Sequence, residues 1–187
     1  MNGKTLKQKL LGTWDTRTIV GVAIGTVMFG VLMNLGSINV AAETSLTSAY
    51  VVPAIVGALF GPLPAALSAG VGNVFADLIG GWGFWFDWSI GNFVVGYFAG
   101  LVGLFGADIE NGVFTVKHAV IYAILCVAGC AIGFGVITPF LTYLWYSSEL
   151  SITWIETWAA IVSDATVLII VGIPVLFALS KRNARGY

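Results

Sequence analysis

The chain has 187 residues, 58% hydrophobic and only 9% charged, with a formal net charge of −1 and a mean hydropathy of +0.96. Soluble domains carry about 25% charged residues, so this composition excludes an ordinary water-soluble protein and requires lipid as solvent. Spans of about 20 residues joined by short loops consume the whole length, which excludes a separate soluble domain and defines one membrane domain over residues 1–187.

Residues 1–17 carry Lys4, Lys7, Lys9 and Arg17, with Leu6, Leu10 and Trp14 at helical spacing, and predict an amphipathic segment on the cytoplasmic membrane surface. The first span runs from about Thr18 to Leu35, too long for a signal-peptide core. Val40-Ala41-Ala42 imitates a cleavage site, but cleavage would discard a helix that an even number of spans requires. A polar stretch, Gly36 to Thr47, contains Asn39 and Glu43. Two short runs, about Ser48 to Gly61 and Leu63 to Ile79, are separated by Pro62 and Pro64 and read as two spans or as a shallower hairpin.

Gly80-Gly81-Trp82-Gly83 is a turn, and a fourth span covers about Asp87 to Phe105. Ala107 to Val116 is a polar connection. The fifth run, His118 to Tyr146, is long and contains Pro139, which predicts a tilt or kink. Residues 147–156 read as an acidic loop, Thr157 to Leu179 as the sixth span, and 180–187 as a basic tail. The fold class is thus an all-α integral membrane bundle of about six transmembrane helices over residues 18–179. With both termini in the cytoplasm, all eight Lys and Arg residues fall inside.

In this topology the polar side chains gather toward the outer leaflet: Asn34 and Asn39, Asn73 and Asp77, Asp87 and Asn92, Thr138 and Thr142, then Ser163, Asp164 and Thr166. Buried carboxylates and amides cost several kcal/mol unless paired or wetted, so the gathering predicts an aqueous pocket open to the outside. Interhelical hydrogen bonding by the asparagines is the structural alternative. Trp82, Trp85 and Trp88 fall within seven residues, as an interfacial belt or as a lid that stacks on a flat heterocycle. The outer half holds no Lys, Arg or His, which disfavours anionic ligands such as folate, biotin or pantothenate and favours a neutral or cationic one.

Gly21 and Gly25 form a small-x-x-x-small pair on the first span, suited to close helix approach within the bundle or against a partner. Cys126 and Cys130 have no further ligand residues nearby and read as packing residues, and no metal-site spacing occurs. The sequence has no phosphate-binding Gly-x-x-x-x-Gly-Lys-[Ser/Thr] loop, and its one histidine, His118, lies beside Lys117 away from the outer cluster. These features argue against an enzyme, and the basic residues suit membrane anchoring rather than nucleic acid.

Three features carry a family resemblance: Arg17 leading into a helix with Gly21 and Gly25; the run Pro53-Ala54-Ile55-Val56-Gly57-Ala58-Leu59-Phe60-Gly61-Pro62; and Gly72-Asn73-Val74-Phe75-Ala76-Asp77-Leu78-Ile79 followed by Gly81-Trp82-Gly83-Phe84-Trp85-Phe86-Asp87-Trp88. Over nearly its whole length the chain resembles the substrate-binding S component of an energy-coupling factor (ECF) transporter, in the riboflavin-type group. The resemblance implies a multi-pass protein of the prokaryotic plasma membrane that captures a vitamin outside the cell. It also implies docking, through the first helix, on a membrane scaffold subunit attached to two cytoplasmic ATPases. Those ATPases would use the ATP, and the chain itself would hold no cofactor. Substrate-binding residues are then expected among Asn34, Asn39, Asn73, Asp77, Trp82, Trp85, Asp87, Trp88, Asn92 and Asp164, with Gly21 and Gly25 at the docking face. Hydroxymethylpyrimidine or thiamine, or pyridoxine, lead as substrates, ahead of riboflavin and cobalamin. A stand-alone channel or secondary transporter for a small neutral or cationic solute is the alternative, but it needs polar or ion-coupling groups along the path, and the inner halves hold mainly Gly, Ala, Val and Ile.

Overall fold

A computed structural model describes residues 5–41 and 44–185; Lys4 and Glu43 lie outside them. The described chain is mostly helical: α1 (Leu6–Leu11), α2 (Thr16–Leu35), α3 (Val51–Phe60), α4 (Pro62–Gly80), α5 (Phe86–Gly100), α6 (Val116–Ile132), α7 (Thr138–Tyr146), α8 (Leu150–Val167) and α9 (Ile173–Ala184). Two strands, β1 (Ser37–Ala41) and β2 (Thr44–Thr47), pair antiparallel in the polar stretch after α2. Five helical segments are long and apolar enough to cross a membrane: Leu6–Leu35, Pro62–Gly80, Phe86–Phe105, Val116–Tyr146 and Thr153–Ala184. The sixth, Ser48–Phe60, is shorter, about 20 Å at 1.5 Å per residue against a hydrocarbon core of roughly 30 Å. Of the two short runs in the sequence, α4 therefore has spanning length and α3 does not.

Local chemistry sets the boundaries. Asp15 caps α2 by accepting the Thr18 N–H at 2.7 Å, and Gly12, with φ of 77°, separates α2 from the capped turn of α1. The amphipathic segment is therefore a short helix and a bend rather than one surface helix. The basic tail also departs from its expected form, because α9 continues through Lys181 and Arg182, whose charges suit a helix C-terminus.

The two longest helical segments use the same device. A π-helical turn at Gly133–Ile137 precedes Pro139, and another at Leu168–Gly172 precedes Pro174. Proline lacks an N–H and crowds the preceding turn, and a widened turn accommodates both. The irregularity expected at Pro139 is present, and its counterpart at Pro174 went unanticipated.

Close approach of α2, α4 and α5 rests on glycine. A Cβ on Gly96 would fall 2.6 Å from the Ala65 carbonyl oxygen, and one on Gly72 would fall 2.7 Å from the Phe29 Cβ. The shared core includes Phe29, Tyr50, Tyr122, Phe134, Leu168 and Leu176. Outward-facing residues are apolar as well, with Ile24 59% and Ile170 67% exposed, the surface of a bundle solvated by lipid.

The two ends of the bundle differ in charge. At one end the α2 start, the Asp108–Val113 turn and α9 are joined by an Arg17–Glu110 ion pair of 2.6 Å and by Asn183 Nδ2 donating to the Ile109 carbonyl at 2.9 Å. Arg17 is exposed there, so the pair contributes at most about 1 kcal/mol. Every described Lys and Arg lies in, or directly follows, a helix that begins or ends on this side. The opposite end carries the hairpin, the α4–α5 turn and the α7–α8 turn, and it opens into a cavity.

Candidate functional site

The aromatic segment between α4 and α5 is built by a few hydrogen bonds. The last turn of α4 ends at Gly81, in the left-handed conformation that glycine permits. The Asp77 carboxylate then accepts the Trp85 N–H at 3.0 Å, while Trp85 Nε1 donates to the Trp82 carbonyl at 3.0 Å. From the far side the Tyr146 hydroxyl, at the end of α7, lies 3.3 Å from the Phe86 N–H and 3.4 Å from the Phe84 carbonyl, and its ring packs on Trp85. The segment is thus fixed from both α4 and α7.

Beneath it lies a cavity of about 670 Å³. Its floor is a polar chain running from the turn before α3 across α5 and α4. Tyr50, just before α3, donates to the Asn92 Oδ1 of α5 at 2.6 Å, and Asn92 Nδ2 donates to the Asn73 Oδ1 of α4 at 3.1 Å. Asn73 Nδ2 in turn donates to the Ser89 hydroxyl at 3.2 Å. These groups are buried and paired with one another, so the chain both joins the helices and presents amide edges to the cavity.

Seven of the expected residues line this cavity together: Asn73, Asp77, Trp82, Trp85, Trp88, Asn92 and Asp164. Others are elsewhere. Asn34 Nδ2 donates to the Gly30 and Ala76 carbonyls, both at 3.0 Å, and ties α2 to α4 away from the cavity. Asn39 pairs through its backbone with Ser45 in the hairpin, and its side chain lies outside what is described. Asp87 is fully buried under the aromatic segment, where it accepts a hydrogen bond from Thr142 of α7 through one oxygen while the other has no partner. Thr166 bonds back to the Val162 carbonyl on its own helix.

Gly21 and Gly25 face other helices of the same chain. The Phe60 ring stands over Gly21, and a Cβ on Gly25 would lie 2.9 Å from Val56 Cγ2 and 3.1 Å from Ser68 Cβ. Their small size is used for the packing of α2 against α3 and α4, and it leaves no surface at Gly25 for a partner.

Of the wall formed by α8, sequence reading found Ser163 and Asp164 but missed the rest. Glu149, Thr153, Glu156, Ala160, Ser163 and Asp164 all line the cavity, at the three- and four-residue spacing of one helix face, with Trp154, Ile155 and Val162 exposed between them. The periodicity is visible once the helix starts at Leu150, whereas a loop over 147–156 conceals it. That expected loop reduces to the left-handed Ser147 and the two residues after it. The hairpin adds Ser45 and Thr47, and Tyr50 was also missed, since an aromatic before an apolar run gives no sign of a polar contact.

Among the described residues no group of His, Cys, Asp and Glu could hold a metal ion. Cys126 and Cys130 are buried packing residues in α6. Fold and site together describe a polytopic helical membrane protein with a binding cavity at one end of its bundle.

The chain belongs to the family of the ECF-type riboflavin transporter S component, whose model matches residues 13–181. It is 34% identical over 175 residues to a UPF0397 protein of Vibrio vulnificus (strain YJ016), covering 92% of this chain and 95% of that protein. It is 30% identical over 174 residues to a UPF0397 protein of Aliivibrio fischeri (strain MJ11), covering 92% of this chain and 94% of the relative. Among solved structures it is similar in fold to FolT bound with folic acid, with a TM-score of 0.62 and 15% identity over 90% of this chain and 95% of the other. The chain is accordingly a transporter S component and not an enzyme.

Proposed function

We propose that this chain captures a water-soluble vitamin or vitamin precursor from outside the cell and delivers it as the substrate-binding subunit of an ATP-driven importer. The observation that carries the proposal is the convergence of three tryptophans, two asparagines and two aspartates on one cavity at one end of the bundle. The bundle also has an apolar core that includes Val95, Ala99, Leu168 and Leu176, which supports a cup over a channel.

The position of every described basic residue toward the other end supports, by the positive-inside rule, a cytoplasmic location for that end and an outward-facing cavity. ECF S components work with a membrane scaffold subunit and ATPase subunits, and the same partners are proposed here. The chain offers no phosphate loop for ATP, so energy comes from those subunits.

A cavity of about 670 Å³ falls in the range of roughly 300–1,000 Å³ that holds drug-sized ligands. That volume suits thiamine or riboflavin as well as a single pyrimidine or pyridine ring, with the ring system against Trp85 and Trp88. Titrating the purified chain with vitamins while following tryptophan fluorescence tests the proposal. Tight binding with no uptake by vesicles containing this chain alone is expected, and uptake without partners would overturn it.

A further inference from the structure

The cavity has a surplus of hydrogen-bond acceptors. Asp164 of α8 is 5% exposed and faces the cavity floor. Two hydroxyls of the described residues reach its carboxylate, and a second acceptor competes for each proton. Ser163 Oγ lies 3.0 Å from Asp164 Oδ1 and 3.1 Å from the Ala160 carbonyl, and it has one proton. The Tyr50 hydroxyl reaches Asp164 but donates to Asn92 Oδ1 at 2.6 Å, and it too has one proton. Both protons of the Asn92 amide are committed, to Asn73 Oδ1 at 3.1 Å and the Trp88 carbonyl at 3.0 Å.

Asp77, Glu149 and Glu156 add carboxylates to the wall, and among the described residues no Lys, Arg or His lines the cavity. A carboxylate withdrawn from water with too few donors costs several kcal/mol, which a ligand bringing donors or positive charge recovers. The indole faces of Trp82, Trp85 and Trp88 also attract cations.

We propose that the natural ligand is a flat heterocycle carrying a positive charge, with its cationic or N–H edge seated against Asp164 and its ring against the tryptophans. This rests on the reading of the chain as a capture subunit, and it narrows the substrate class of that same cavity.

The full chain in detergent is titrated with thiamine (a fixed cation), pyridoxamine (a protonated amine), pyridoxine, riboflavin and folate. The tightest binder is expected to be a cation, and Asp164→Asn is expected to raise its Kd at least about tenfold without changing the melting temperature. Pyridoxamine against pyridoxine, an amine against a hydroxyl on the same ring, reads charge in the unmodified chain and needs no folded variant; the amine is expected to bind tighter. Tightest binding of riboflavin, pyridoxine or folate overturns the charge proposal and leaves the capture reading standing. Unchanged affinity in a folded Asp164→Asn chain also overturns it. Binding of none of the five overturns both.

Discussion

The Asp77 carboxylate accepts the Trp85 N–H at 3.0 Å across the α4–α5 turn, so the helix that supplies a cavity wall also fixes the aromatic segment above it. Asp77→Ala removes this acceptor and frees the segment on one side. Ligand Kd is expected to rise at least about tenfold, equivalent to about 1.4 kcal/mol, with tryptophan emission shifted to the red. Asp77→Asn keeps an acceptor oxygen and is expected to retain the native emission. Native emission and affinity in Asp77→Ala would show that Tyr146 alone holds the segment.

Thr142 and Asp87 tie α7 to α5 beneath the same segment. Replacing Thr142 by Val keeps the shape but leaves a fully buried carboxylate without its donor, a loss of about 1–3 kcal/mol or more. Thermal unfolding in detergent should show a lower melting temperature than for Thr142→Ser, which keeps the hydroxyl. Equal melting of the two variants would mean that the bond carries no stability.

Gly25 separates packing from docking. A leucine there must displace Val56 and Ser68, and overpacking of a filled interior typically costs about 1–3 kcal/mol. Gly25→Leu is expected to lower the melting temperature and to reduce ligand binding and partner-driven uptake together. Intact binding with uptake lost in the assembled transporter would return Gly25 to the docking face.

Five of the spans and the basic end of the bundle were legible because hydropathy and the placement of Lys and Arg are one-dimensional signals. Part of the cavity was legible for a related reason. Asn73, Asp77, Asn92 and Asp164 are expensive in hydrocarbon wherever they point, so their presence alone marks a site. The sequence could not separate residues of one type by orientation. Asn34 and Asn92 are both amides on apolar helices, yet Asn34 bonds to backbone between α2 and α4 while Asn92 faces the cavity. Asp77 and Asp87 flank the same aromatic run, yet only Asp77 lines the wall. The α8 face was lost to a boundary error, since an acidic stretch reads as loop until the helix beneath it is known. The hairpin was hidden because its strands are only five and four residues long, and the alternation of Ser37, Ile38, Asn39 and Val40 is too brief to stand out in a polar stretch.

Filling the cavity without disturbing its polar chain tests the central claim most directly. Ala160 lines the cavity wall on α8 and is partly buried, so Ala160→Phe places a ring in the space assigned to the ligand. Fluorescence titration with the tightest vitamin found for the native chain should show affinity falling by about a hundredfold or more, roughly 2.8 kcal/mol, while the melting temperature holds. Native affinity in a folded Ala160→Phe chain would place the ligand elsewhere and contradict the account.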